Sequence, residues 1–315
     1  MTPLLFSFRK KRKEKGSMGR KIMQHLFTLI AVAAVGGAAF FGWKIIETEL
    51  RNRREQEDIN EIYEMMQAVT IPEDPGAETK AQSAGNRSDS MDESAAAGQK
   101  ETKAEPIVVH TPEELLADSD RMLAQYAALY GQNSDLVGWI MIDNTVINYP
   151  VMQTPNDPDF YLHRNFRKQD ASSGMIYIDA NCRMDGTSRN ILIYGHHMRN
   201  GAMFASLQKY ESKSYYKDHP YVMFNTLDET AVYQVVAAFK QPAETVDESF
   251  KRMLLAESDG DFAQLAAYVN AHRFYDTGAA MEASDRLITL ATCEYTQGDG
   301  RFFVVAKKIM SGKGE

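Results

Sequence analysis

From Trp139 onward the apolar residues stop recurring at helical intervals and gather into eight short runs. These are Trp139–Ile142, Val146–Val151, Met175–Ile178, Ile191–Tyr194, Tyr221–Asn225, Ala231–Phe239, Leu287–Thr292 and Phe302–Ile309. Each is rich in β-branched and aromatic side chains and is bounded by Gly, Pro, Asn, Asp or Ser, so each reads as a strand. Eight short strands separated by turns predict a mainly β chain closed, or nearly closed, into a barrel. Two helical insertions interrupt the strands. A short one is marked by Met203, Phe204 and Leu207. A long one lies between Lys240 and Arg286, with Phe250, Met253 and Leu254 and then Phe262, Leu265, Ala266 and Val269 at helical spacing. A long insertion ahead of the penultimate strand is placed to build a wall beside whatever that strand carries.

The strand ends carry the chemistry. Cys293 closes the run Leu287–Thr292, and Arg301 opens the next run after the loop from Glu294 to Gly300. His196 and His197 follow Gly195 at the end of Ile191–Tyr194, where a glycine would let the chain turn sharply. A cysteine at a strand end is by itself more often a small buried hydrophobe, and a lone arginine there is more often a solvated charge. Together, thiol, imidazole and guanidinium supply a nucleophile, an acid–base group and an oxyanion stabiliser for acyl transfer. His196 is the candidate base and His197 a neighbour. No His, Cys or carboxylate set has metal-ligand spacing around that pair, so no metal or other cofactor is expected. The second cysteine, Cys182, reads as an exposed loop thiol without a role, although a Cys182–Cys293 bridge is open on the sequence.

Ahead of the barrel the chain changes character several times. Residues 1–21 carry eight Lys or Arg against Glu14, a net +7, which leaves −15 on the rest of a chain whose total is −8. A basic head on an acidic body argues against nucleic acid as a partner and for a membrane-oriented amino terminus. Leu26 to Trp43 holds eighteen residues without a charge. With the apolar flanks it predicts a transmembrane helix over 22–46, with residues 1–21 cytoplasmic and the remainder extracellular. A cleaved signal peptide is the rival, with Ala31-Val32-Ala33 and Gly37-Ala38-Ala39 as candidate sites, but the apolar stretch is longer than a usual signal core. Residues 47–70 read as a stalk helix with Ile59, Ile62, Met65 and Met66 at helical spacing. Residues 71–110 read as a disordered linker, and 111–315 as the catalytic domain. That domain opens with Thr111-Pro112-Glu113-Glu114, a capping box with Pro at the first helical position, and Gly131 closes the helix.

Thr289-Leu290-Ala291-Thr292-Cys293 resembles the signature of sortases, the cysteine transpeptidases of Gram-positive cell surfaces. Tyr194-Gly195-His196-His197-Met198 is similar to their histidine motif, and Arg301 falls where their arginine does. Val137-Gly138-Trp139-Ile140, Ile147-Asn148-Tyr149-Pro150-Val151, Phe160-Tyr161-Leu162 and Gly201-Ala202-Met203-Phe204 resemble the class B branch. The resemblance implies a sortase-type barrel of about eight strands with an amino-terminal helix and a helical insertion before the cysteine strand. It also implies that Cys293 attacks the Thr carbonyl of a sorting motif of Asn-Pro-x-Thr type near the end of a secreted protein. A thioacyl-enzyme is then resolved by an amine of the peptidoglycan precursor or cross-bridge, or by a pilin lysine. His196 would shuttle the proton and Arg301 would hold the oxyanion, while Leu162, Thr292 and Glu294 would bind substrate. Two positions depart from the class B pattern: Ala291 stands where Ser is usual, and Pro158 where Asn is frequent.

Other readings fit less well. The L,D-transpeptidases favour Ser-x-Gly-Cys-x-Arg, unlike Thr292-Cys293-Glu294-Tyr295, and papain-like proteases place cysteine before histidine. Within the resemblance, the alternatives are a pilin-polymerising enzyme and a non-catalytic membrane-tethered scaffold.

Overall fold

The computed structural model describes residues 4–68, 107–294 and 300–313. Within them, the side chains of residues 4–22, 24, 25, 27, 28, 31, 66–68, 293, 294 and 313 fall outside the description. All eight expected strands form: β1 (Leu136–Met141), β2 (Asn148–Met152), β3 (Ile176–Ile178), β4 (Asn190–Tyr194), β5 (Tyr221–Thr226), β6 (Glu229–Pro242), β7 (Leu287–Glu294) and β8 (Gly300–Lys313). They close into a barrel in the order β1-β2-β3-β4-β7-β8-β6-β5. Two neighbouring pairs, β2 with β3 and β4 with β7, are parallel, and the rest are antiparallel.

The departures from the expected bounds have local causes. Val146 belongs to the β1–β2 turn rather than to β2: Asn144 takes a left-handed backbone (φ 58°), and the Thr145 hydroxyl donates to the Ile142 carbonyl at 2.7 Å. β6 and β8 run past their apolar cores because each completes the other's ladder, pairing from Glu229 with Lys313 to Pro242 with Gly300. Backbone pairing continues there after the side chains turn polar. Two register shifts in that ladder bend the long pair around the barrel.

The helix expected from Thr111 onward is two helices. Thr111 caps α2 (Pro112–Leu115) through the anticipated box, its hydroxyl accepting from Glu114 N and its own N–H donating to Glu114 Oε2 at 2.7 Å. The chain breaks at Leu116 and resumes as α3 (Ser119–Tyr130), whose Leu123, Tyr126 and Leu129 are buried. Gly131 ends α3 in right-handed geometry (φ −60°), so the helix stops there without a left-handed cap.

Between β4 and β5 lies a 3₁₀ stretch (Ala205–Glu211) followed by α4 (Lys213–Asp218). The long insertion forms α5 (Glu248–Leu255) and α6 (Asp259–His272). Asp247 caps α5 by accepting from Phe250 N, and Ser258 with Asp261 makes a capping box for α6. Phe250 and Leu254 from α5 and Phe262, Leu265 and Val269 from α6 are buried in the main core. From Leu287 to Thr292 every residue of β7 is buried, which is why its sequence is continuously apolar rather than alternating.

By contact, the chain divides into two units, residues 1–56 and 57–315. α1 runs from Leu4 to Ala68, over the expected span 22–46 and residues 47–68 of the expected stalk, whose last two residues lie outside the described ones. Among the described residues no helix is long and apolar enough to cross a membrane. Several side chains of the expected span 22–46 lie outside the described residues, as does most of the expected linker 71–110. In the second unit, Ile59 and Ile62 are buried, Asp58 accepts from Asn165 Nδ2 at 2.8 Å, and Glu61 pairs with Arg167.

Asn190 fastens the insertion to the strands. Its buried Nδ2 donates to the Leu254 carbonyl at 2.6 Å and to Thr289 Oγ1 at 2.8 Å, and Thr289 Oγ1 lies 3.1 Å from Asn190 Oδ1. Asn190→Ala leaves a buried carbonyl and hydroxyl without this partner. It is expected to lower stability by about 1–3 kcal/mol in urea unfolding. A loss under about 0.5 kcal/mol would mean that water replaces the amide.

Candidate active site

The parallel pairing of β4 and β7 places Tyr194 opposite Ala291, and the ladder extends one step further through Gly195 N to the Ala291 carbonyl at 3.1 Å. Parallel strands end on the same side of a sheet, with their backbones about 4.8 Å apart. His196, two residues past Tyr194, and Cys293, two residues past Ala291, are therefore delivered by the neighbouring carboxyl ends of adjacent strands. On the other side of β7, the antiparallel ladder puts Arg301 of β8 opposite Cys293. The side chains of Cys293 and Glu294 lie outside the described residues, as does the loop 295–299.

A cavity of about 250 Å³ opens at these strand ends, lined by Leu162, Tyr177, Tyr194, Gly195, His196, Ala291, Thr292 and Arg301. Four of the six residues named from the sequence are thus brought to one hollow: Leu162, His196, Thr292 and Arg301. His196 is half-buried. Its Nε2 lies 2.8 Å from the Leu162 carbonyl, and a carbonyl only accepts, so Nε2 carries the hydrogen. In the neutral ring the lone pair is then at Nδ1. The His163 ring stacks on that of His196 with centroids 5.7 Å apart. Arg301 is half-buried, and one of its terminal nitrogens donates to the Gly300 carbonyl at 3.1 Å. Thr292 is 3% exposed, and its Oγ1 has no hydrogen-bond partner among the described residues. A buried hydroxyl facing a hollow without a partner is costly unless something that fills the hollow satisfies it.

Gly195 is needed for a reason other than the sharp turn expected of it. Its backbone is not left-handed, but a Cβ there would sit 2.5 Å from Ile176 Cδ1 and 2.7 Å from Phe204 Cδ2. The close approach lets Phe204 N donate to the His196 carbonyl at 2.9 Å, which fixes the chain just past β4. Gly174 serves the facing side: it has φ +54°, and a Cβ would lie 2.4 Å from the Leu162 carbonyl that receives His196.

Sequence reasoning missed the tyrosines and the carboxylate behind them. Tyr177 and Tyr194 are opposite each other in the β3–β4 ladder, with ring centroids 5.4 Å apart. The Tyr194 hydroxyl donates to Asp179 Oδ2 at 3.0 Å, and Lys251 Nζ of α5 reaches the same oxygen at 3.0 Å. Burial pushes Asp179 up, but Asn181 N, Lys251 and the Tyr194 hydroxyl outweigh it and hold the carboxyl below its ordinary value. Burial, with Asp179 beside it, raises Tyr194 far above the usual phenol range, so it remains a donor. The place of Tyr194, directly before Gly195-His196, was the available signal. No sequence signal marked Lys251, which arrives from the insertion.

Cys182 corrects the sequence reading. It is 3% exposed rather than an open loop thiol, receives Leu192 N at 3.3 Å, and is a free thiol. Burial pushes it up to about 12, which makes it inert as a thiolate.

With this geometry in hand, the relatives of the chain are informative. Among protein families, the Sortase domain matches residues 140–309. The chain belongs to the sortase family. Sortase B of Listeria monocytogenes is 32% identical over 180 residues, covering 56% of this chain and 71% of the relative. Sortase B of Staphylococcus aureus is 24% identical over 289 residues, covering 91% of this chain and 98% of the relative. Among solved structures, a Staphylococcus aureus sortase B–substrate complex matches with a TM-score of 0.55 at 29% identity, covering 62% of this chain and 89% of that one. Clostridium perfringens sortase B matches with a TM-score of 0.54 at 28% identity, covering 58% and 99%. These relatives place this sortase in class B, and its activity is that of a cysteine transpeptidase.

The buried pair gives a pH prediction. A depressed carboxyl contributes stability that is complete above its unfolded value, about 3.9, and is lost as pH falls through the folded value. Lys251→Met is expected to cost about 1–3 kcal/mol at neutral pH, reduced from a fully buried pair because Lys251 is one-third exposed. The deficit against the parent should shrink below about pH 4. A pH-independent deficit would locate the loss in the packing of the lysine stem instead.

Proposed function

We propose that Cys293, His196 and Arg301 carry out the transpeptidation, on a secreted protein bearing a carboxyl-terminal sorting motif of Asn-Pro-x-Thr type. The observation that carries this reading is the shared hollow at the ends of β4, β7 and β8, with His196 and Arg301 both in its wall. The Cys293 thiolate attacks the Thr carbonyl, and the oxygen gains charge that the Arg301 guanidinium offsets. The scissile C–N bond then breaks, and the leaving amine takes a proton from His196, leaving a thioester. An acceptor amine attacks that thioester and returns a proton to His196. The C–S bond breaks and Cys293 is restored as thiolate. Leu162 positions the imidazole through its carbonyl, and its side chain, with Thr292 and Glu294, meets the sorting motif. The absence of a hydroxyl at Ala291 favours a less polar residue in the motif at that point. The acceptor is an amine of the peptidoglycan precursor or cross-bridge.

The chain is also proposed to be held in the cell membrane by residues 22–46, with the amino terminus cytoplasmic and the barrel extracellular. The charge-free stretch from Leu26 to Trp43, the basic residues confined to its amino-terminal side, and the outward exposure of Leu29, Val35, Phe41 and Ile45 support this. Deleting residues 1–46 should move the protein from the alkali-resistant membrane fraction to the soluble one. Retention in the membrane would place the anchor elsewhere.

The catalytic assignment is tested with the full-length chain and a quenched Asn-Pro-x-Thr-containing peptide, with mass spectrometry of the trapped thioester. Cys293→Ala should abolish the adduct, and His196→Ala and Arg301→Ala should each lower kcat/KM by about 10²-fold or more. Equal peptide turnover by the parent and Cys293→Ala would favour the non-catalytic scaffold.

A further inference from the structure

A second and larger cavity, of about 700 Å³, lies beside the first, on the other side of the histidine pair. His196 lines the first hollow and His197 the second, so consecutive residues, with Cα atoms about 3.8 Å apart, contribute to both walls. The wall of the larger cavity comes from the β1–β2 turn, the segment after His197 and the 3₁₀ stretch. Arg199, Lys209, Asn200 and Asn144 are among its polar groups.

Its charge is unusual for this molecule. The chain carries −8 overall, and −15 outside its first 21 residues, yet no Asp or Glu is among the lining residues. Arg199 and Lys209 line it without an ion-pair partner among the described residues, and the Lys209 ammonium sits 5.8 Å from the centre of the Tyr215 ring. Two carboxylates stand close by, and Asp143 Oδ2 accepts from Asn144 Nδ2 of the cavity wall at 3.0 Å. Asp143 and Asp218 line a separate small recess beyond His219, and Asp143 is engaged by His110 Nδ1 at 2.5 Å. His219 Nδ1 donates to the Asp143 carbonyl, and burial holds this ring below its ordinary value, so it adds a neutral ring and no charge. Ser206 is 8% exposed, and its hydroxyl engages the Tyr215 hydroxyl. Two cations on one hollow with no carboxylate in its lining, in an otherwise acidic body, make a site for an anion.

We propose that this cavity binds a carboxylate of the acceptor peptide, so that the acceptor is anchored beside His197 while its amine reaches the thioester on the His196 side. The inference rests on the transpeptidase reading and deepens it by naming the chemistry of the second substrate. Anchoring in a cavity whose wall adjoins the acid–base residue raises the effective concentration of the amine without contacting the reacting atoms. Neither Arg199 nor Lys209 touches the first hollow, so hydrolysis of the thioester by water does not use them.

The test uses the full-length chain, a sorting-type peptide as acyl donor, and glycine peptides of increasing length as acceptors, each as the free acid and as the carboxamide. The parent is expected to show a KM for the free acid about 3- to 10-fold below that for the amide, at one peptide length, with the gap closing at high salt. Arg199→Ala with Lys209→Ala should erase the gap while leaving the rate of donor hydrolysis unchanged. Lys209→Glu should reverse the preference. Equal KM values for acid and amide in the parent, or a gap that survives in the double variant, would overturn the proposal. So would displacement by inorganic phosphate with no acid–amide difference, which would give the cavity to a phosphate. Titration of both glycine peptides by NMR, against the parent and the double variant, reads the same preference without turnover. The proposal is thus decided even if no thioester forms, an outcome that would count against the catalytic reading alone.

Discussion

The parallel pairing of β4 with β7 is the constraint on which the site depends. An antiparallel arrangement would send the end of one strand to the start of the other and separate the imidazole from the cysteine by the length of the sheet. Parallel neighbours require a long crossover. Here the crossover includes two of the eight strands: the 3₁₀ stretch, α4, β5, β6 and the α5–α6 insertion all lie between Tyr194 and Leu287. The insertion thereby becomes part of the wall. The Asn190 amide ties its Leu254 carbonyl to Thr289 of β7, and Lys251 ties it to Asp179 behind Tyr194.

Around that pairing, the hollow is shaped by backbone approach as much as by side chains. Gly195 allows Ile176 and Phe204 to close on the end of β4, and Gly174 lets the Leu162 carbonyl come within reach of His196. A backbone carbonyl does not titrate, so the hydrogen stays on Nε2 whatever the state of nearby carboxylates, and proton exchange is directed to Nδ1. The Asp179 carboxylate, the ionised group behind Tyr194, is satisfied by Lys251, Asn181 and the Tyr194 hydroxyl. A buried charge with its own partners perturbs its neighbours less than an unpaired one would.

Most of the fold was legible because the strands announce themselves by length, β-branched content and turn residues. The eight runs became eight strands, and the Thr111 capping box formed as read. Strand bounds failed where pairing, not side-chain polarity, decides where a strand ends, as in the extension of β6 to Pro242. The helix after Thr111 was read as one because its apolar stripe is continuous, but the stripe does not register the break at Leu116. Cys182 was misjudged because polar neighbours on both sides suggested a surface loop, whereas the sulfur turns inward against β4 and meets Leu192 N.

The sequence by itself determined the strand count, the sortase resemblance and the identity of the groups at the strand ends, since these depend on local pattern and residue chemistry. Only the tertiary structure decided which strand ends adjoin, that Leu162 and Thr292 share a hollow with His196 and Arg301, and that Lys251 comes from the insertion to hold Asp179. It also gathered Arg199 and Lys209 into a cavity free of carboxylates on an acidic molecule. Such facts are set by long-range register and chain crossover. A sequence pattern, which records only neighbours along the chain, does not carry them.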